Sequence, residues 1–154
     1  MATTASAAGS VVQTATASAT ISAAVTLTRL TNLAFGTIIK PTNANTNTVT
    51  VSNAGVRSIA GTGDGALGAG TPTAASFTLA APAATTYSTT QTLVMTPAGL
   101  ANAAANTPTT TTGTFGTVPA GGTQDLNLGG SFQLDSSTTS QAYTGTLTLT
   151  VNYN

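Results

Sequence analysis

The chain has 154 residues, of which only 4% are charged: three are Lys or Arg, three are Asp or Glu, and none is His or Cys. A nucleic-acid-binding surface needs clustered basic residues to displace counterions, and three of them cannot form such a patch. Disulfides and thiolate metal sites are excluded, and no apolar run approaches the roughly 20 residues of a membrane span.

The N-terminal segment is uncharged and rich in small residues. From residue 11 to residue 21, small or apolar side chains share one parity, which Gln13 interrupts, and from residue 14 onward Thr or Ser occupies the other. This alternation is typical of a strand, and the Ala residues indicate a shallow buried face. We predict that residues 1–12 form an extension, a candidate donor strand that could extend to residue 21. Residues 13–154 are predicted to form a single β-sandwich domain.

Short segments with the same alternation follow along the chain. Their alternating apolar residues are Val49 and Val51, Phe77 and Leu79, Leu126 and Leu128, and Phe132 and Leu134. The continuous apolar run at 93–95 predicts a buried strand, and Gly129 with Gly130 predicts a bend or bulge. The stretches between these segments are rich in Gly, Pro, Asn and Thr and predict turns. These turns lie at 41–47, 61–72, 80–84, 97–112 and 119–122.

The clearest predicted strand lies at the C-terminus, at residues 143–153. Apolar residues such as Leu147, Leu149 and Val151 share one parity, and Thr or Asn occupies the other. One face should therefore pack on a core while the other contacts solvent. Many short strands separated by turns predict an all-β antiparallel sandwich or barrel.

No catalytic, metal or cofactor-binding site is predicted. General acid–base catalysis needs a His or a carboxylate beside a partner, whereas Asp64, Asp125 and Asp135 are widely separated in the sequence. Asp64 lies in a Gly-rich turn, but one carboxylate falls short of the ligands that Ca²⁺ requires. A Ser or Thr nucleophile would depend on Lys40 as its base. We expect a protein that is not an enzyme and needs no cofactor.

The two ends of the chain predict a mode of self-association. The C-terminal strand has no charge, although soluble proteins usually protect exposed strand edges with Lys, Glu or Pro. The N-terminal segment could therefore add as a strand to a neighbouring copy. Such a contact joins different surfaces and would build an open filament. The predicted donor residues are Val11, Val12, Ala15, Ala17, Ala19 and Ile21, and the predicted acceptor residues are Leu147, Leu149 and Val151.

Segments at both ends and in the middle of the chain resemble a known bacterial family. They are Ala-Thr-Ala-Ser-Ala-Thr-Ile at 15–21, Leu-Ala-Phe-Gly-Thr-Ile at 33–38, and the Tyr-to-Tyr ending at 143–153. The chain resembles secreted bacterial β-sandwich domains of unknown function, similar to spore coat protein U domains and archaic chaperone–usher pilins. This resemblance implies an immunoglobulin-like (pilin-like) β-sandwich, export and fimbrial assembly. A periplasmic chaperone and an outer-membrane usher would be partners, with spontaneous polymerisation as the alternative.

These features lead us to expect a structural subunit of an extracellular filament or surface coat whose partners are copies of itself. Uncharged hydroxyl-rich surfaces suit neighbours that are identical copies, because such surfaces do not repel at close range. They also suit a variable ionic environment, and for this reason we expect a secreted protein from which a signal peptide has been removed. The alternative is a monomeric surface adhesion module. Its loops at 61–72 and 97–112 would contact a glycan or a host protein, with Tyr87 near such a loop.

Overall fold

The computed structural model describes residues 9–10, 12–21, 23–96, 107–110 and 116–153, with the backbone alone described at 107–110. These residues form strands and no helix, and every strand pair is antiparallel. The predicted all-β sandwich is therefore confirmed. The strands are β1 (Thr26–Thr31), β2 (Ile38–Ile39), β3 (Asn47–Val51), β4 (Arg57–Gly61), β5 (Ala66–Leu67), β6 (Ala75–Ala80), β7 (Tyr87–Thr96), β8 (Thr107–Thr110), β9 (Thr123–Leu134) and β10 (Thr144–Tyr153).

The larger sheet has the strand order β1-β6-β9-β3-β4, and β8 also pairs with β9. A second sheet consists of β7 and β10, and the short β2 and β5 form a third. The long β9 is the centre of the fold because residues 123–128 pair with β6 while residues 130–134 pair with β3.

The core consists of two clusters. In the first, buried residues of β6 and β9, such as Leu79, which is 1% exposed, pack against the β7–β10 sheet and the inner residues of β10. In the second, Val49 of β3 packs with Phe132 and Leu134 of β9, and this cluster is covered by Phe35, Ile38, Ile59 and Leu67. Buried residues of β3 and β6 alternate with residues that lie partly in solvent, most of them Thr or Ser, as the two-residue side-chain period of a strand requires.

Several sequence predictions are corrected by these contacts. The run at 93–95 is not continuously buried: Leu93 is 6% exposed but Val94 is 56% exposed, because β7 alternates like the other strands. The predicted bend at Gly129 and Gly130 is instead the point where β9 changes its partner from β6 to β3. The predicted turns at 61–72 and 97–112 contain the short strands β5 and β8. The strands β1, β2 and β4 were not predicted from the sequence.

The N-terminal segment lies outside the packed domain. Residues 12–21 are exposed and belong to no strand of this chain, although their alternation predicts one. Among the described residues, β1 is the first strand, and Val25 just before it is the first residue that packs on the core. The described residues between the predicted domain boundary at residue 13 and Val25 belong to no strand.

Candidate functional site

The C-terminal strand β10 has one free edge. All its residues pair with β7 along one side, and among the described residues no strand pairs with the other side. No residue of β10 is buried, although Leu147, Leu149 and Val151 pack against the core. Its inner face therefore lacks the cover that the inner residues of β3 and β6 receive.

The strand β1 is an edge strand of the larger sheet, as β10 is of the smaller one. It pairs with β6 along one edge, and within the described ranges no strand pairs with its other edge. Each of its residues is exposed. Leu27 and Leu30 are 37% and 60% exposed. Both strands thus combine an unpaired backbone edge with incompletely buried apolar side chains.

Between these edge strands lies a cavity of about 900 Å³, which we call the groove. Its walls are the end of β1, the connection at 32–38 and the start of β10 with the segment before it at 138–143. Phe77, Met95 and Phe132 also line it. We call the end beside Tyr143 and Gly145 its mouth. A partly apolar cleft beside a free strand edge is the geometry that accepts an added strand.

The connection at 32–38 is held in place by Arg57. This side chain donates hydrogen bonds to the carbonyl oxygens of Phe35 at 2.5 Å, Thr37 at 3.1 Å and Gly68 at 2.7 Å. A guanidinium presents several donors in a fixed plane, so one residue can satisfy several carbonyls. Arg57 therefore fixes one wall of the groove to the β5 region.

The two other cations both line the groove. Lys40 donates to the carbonyl oxygens of Ser136 and Thr138, each at 2.9 Å, and so holds the segment that leads to the mouth. Arg29 lies opposite Phe77 in the β1–β6 pair, and directly opposed residues share a face of the sheet. Its backbone belongs to the β1–β6 ladder. Among the described residues, no hydrogen bond or ion pair engages the Arg29 guanidinium.

Two of the acidic side chains cap turns, and the third, Asp125, lies on strand β9. The hydroxyl and amide of Thr42 donate to the Asp64 carboxylate at 2.5 and 2.8 Å, and these bonds lower the pKa of Asp64. Ser137 donates to Asp135 in the same way, which lowers the pKa of Asp135. Asp125 accepts a hydrogen bond from Thr78. Within the described ranges, no three potential metal ligands of the His, Cys, Asp or Glu type lie together.

The structure places the predicted site residues in two separate regions. Of the predicted acceptors, Leu147 lines the groove, whereas Leu149 and Val151 pack on the core nearer the other end of β10. Of the predicted donors, Val12 is 79% exposed and Ile21 is 95% exposed. Ala15, Ala17 and Ala19 are also exposed, and Val11 lies outside the described residues. Within one copy, donors and acceptors do not meet.

The sequence did not predict that β1 and the 32–38 connection form one wall of the groove. Phe35 lies in the segment 33–38 on which the family resemblance rests, but the position of Arg29 depends on pairing with β6 and has no local pattern. Tyr87, the aromatic residue considered for the alternative adhesion function, is not available to a ligand, because it is only 6% exposed and packs in the core. Burial also raises the pKa of Tyr87.

Comparison with protein families gives a match to a domain of unknown function, DUF4402, over residues 25–153. The chain belongs to the DUF4402 family. The match begins at Val25, the first residue packed on the core, so the DUF4402 domain coincides with the sandwich, and the N-terminal segment precedes it. Comparison with curated proteins and with solved structures gives no match. In the described part of this DUF4402 protein, no helix has the length and hydropathy to cross a membrane.

Proposed function

We propose that this protein is a structural subunit of an extracellular filament, assembled by adding the N-terminal segment of one copy to the sandwich of the next. The observation that supports this proposal most directly is the groove beside the free edge of β10. The expected setting is the bacterial cell surface after export. A chaperone and usher, or spontaneous polymerisation, would bring the copies together.

The acceptor half of the joint is supported by the exposure of β10. An unpaired edge presents free N–H and C=O groups that readily pair with another strand. Leu147 lines this groove and is half-buried, so an added strand would complete its burial. Burying an aliphatic side chain of this size contributes roughly 1.5–3 kcal/mol.

The donor half is supported by the state of residues 12–21. They are exposed and unpaired in the described structure, yet their side chains alternate between apolar or small and hydroxyl groups. The sequence before β1 contains no charged side chain. A strand inserted between two sheets would therefore carry no side-chain charge into the core, which would be costly to bury.

The test is negative-stain electron microscopy of the full chain beside a variant that lacks residues 2–21. Filaments from the full chain alone support the proposal, provided that circular dichroism and thermal unfolding show the same folded sandwich in both. Filaments from both proteins, or uniform small particles from both, would contradict it. Small particles from both would favour the adhesion module.

A further inference from the structure

The topology determines where the N-terminal segment leaves the domain. Thr26, at the start of β1, pairs with Ala80 at the end of β6. Tyr153, at the end of β10, pairs with Tyr87 at the start of β7. Residues 81–86 connect β6 to β7, so all these positions lie at one end of the sandwich, which we call the turn end.

The mouth of the groove lies at the opposite end. Gly145 and Tyr153 are separated by about 27 Å along β10, at roughly 3.4 Å per residue. Ile21 lies five residues before Thr26, so the Cα atoms of these two residues can be at most about 18 Å apart. The Ile21 of a copy therefore remains near its own turn end and cannot reach its own mouth.

This separation gives the two possible occupants of the groove opposite directions. A segment folded into its own groove would place Ile21 at the turn end and would run parallel to β10. A segment from a copy stacked end to end would enter at the mouth, with Ile21 beside it, and would run antiparallel to β10. Antiparallel pairing is slightly more stable per residue, which favours the second copy.

Side-chain sizes agree with the antiparallel direction. Arg29 and Phe77 share a face of the larger sheet and both line the groove between the mouth and the turn end. Large residues in this stretch favour small partners, and the donor has Ala17 and Ala19 there. At the mouth, Met95 and Leu147 offer an apolar surface to a larger side chain.

We propose that the groove of one copy binds residues 12–21 of a second copy antiparallel to β10, with Ile21 at the mouth against Leu147 and the alanines beside Arg29. This inference rests on the proposed donor-strand function and adds its direction and its anchor. The anchor is Ile21 because it is the bulkiest apolar residue of the segment and is 95% exposed in the single copy.

Cysteine pairs test the direction, since the chain has no cysteine of its own. Ile21→Cys is combined with Leu147→Cys near the mouth or with Val151→Cys near the turn end, and assembled samples are oxidised and run on non-reducing gels. A ladder of covalent multimers is expected from the first pair only. A ladder or an internal disulfide from the second pair, or no bond from the first pair within filaments, would overturn the inference.

The anchor is tested separately with Ile21→Ser, using Thr20→Ser on the opposite face as the control. The first change should raise the critical concentration for assembly by about tenfold or more, whereas the control should leave it within about twofold. Equal effects would refute the anchor. If filaments require residues 12–21 but the disulfide forms at position 151, the proposed function stands and the direction is wrong. If filaments form without residues 12–21, both the proposed function and this inference are rejected.

Discussion

The rings of Phe35 and Phe132 meet edge to face, with centroids 4.9 Å apart and planes at 84°. Phe35 belongs to the connection that walls the groove, and Phe132 lies on the central strand β9. This contact fixes the wall to the centre of the larger sheet, because edge-to-face aromatic pairs stabilise beyond their buried area.

Replacing Phe35 with Ala should lower the free energy of unfolding by roughly 2 kcal/mol, less than for a fully buried Phe because this ring is half-buried. Urea unfolding of the variant lacking residues 2–21 measures the loss without interference from assembly. Leu30→Ala is the control, since Leu30 is 60% exposed and should change stability by less than about 0.5 kcal/mol. Equal losses would show that Phe35 does not stabilise the wall.

A side chain at Gly130 is predicted to force the side chains of Leu33 and Leu93 to shift. A Cβ there would lie 2.8 Å from a methyl carbon of Leu33 and 2.8 Å from one of Leu93, so side chains from both sides of the core close over this position. Gly130→Ala should destabilise the domain by roughly 1–3 kcal/mol through overpacking. Gly121→Ala is the matched control, because nothing lies within 4 Å of its Cβ position. A thermal unfolding midpoint that is the same in both variants would contradict this account of the core.

Ala17 and Thr16 are adjacent in the donor segment but lie on opposite faces of the predicted strand. Ala17→Leu should abolish or strongly slow filament growth, because the larger side chain would meet Arg29 and Phe77 in the groove. Thr16→Leu should leave growth nearly unchanged, since its side chain would face away from the core. Light scattering and electron microscopy at equal concentrations compare the two. Faster growth of the Ala17→Leu variant would place this residue outside the groove.

The stability of the domain should be nearly independent of pH between about 5 and 9, because the chain has no His. The pKa values of Asp64 and Asp135 are lowered in the folded state. Their stabilisation is therefore present above their unfolded pKa of 3.8 and is lost as pH falls through the folded values. The raised pKa of Tyr87 means that the unfolded state loses its proton first above about pH 10, which favours unfolding there.

Urea midpoints measured from pH 2 to pH 11 check this profile, with an Asp64→Asn and Asp135→Asn double variant as the control. The double variant should be less stable at neutral pH and should lose part of the decline below pH 4. A urea midpoint that changes clearly between pH 5 and pH 9 would show that other groups control the pH dependence of stability. An unchanged acid decline in the double variant would show the same.

The sequence by itself determined the strands whose pattern is local. In β3, β6, β9 and β10 the inner residues were predicted correctly, because alternate side chains of any strand point to opposite faces. The nearly uncharged composition also indicated a surface that does not repel its copies at close range.

Only the tertiary structure decided which strands are edges and where the groove lies. The exposure of Val94, the missed strand β1 and the position of Arg29 opposite Phe77 all depend on partners far along the chain. Strand order is set by packing between residues distant in sequence, and a local two-residue period is the same in a central strand and at an edge. For this reason the sequence predicts the C-terminal strand and its inner face, and its lack of charge indicates an edge, whereas only the pairing with β7 shows which side of it is free.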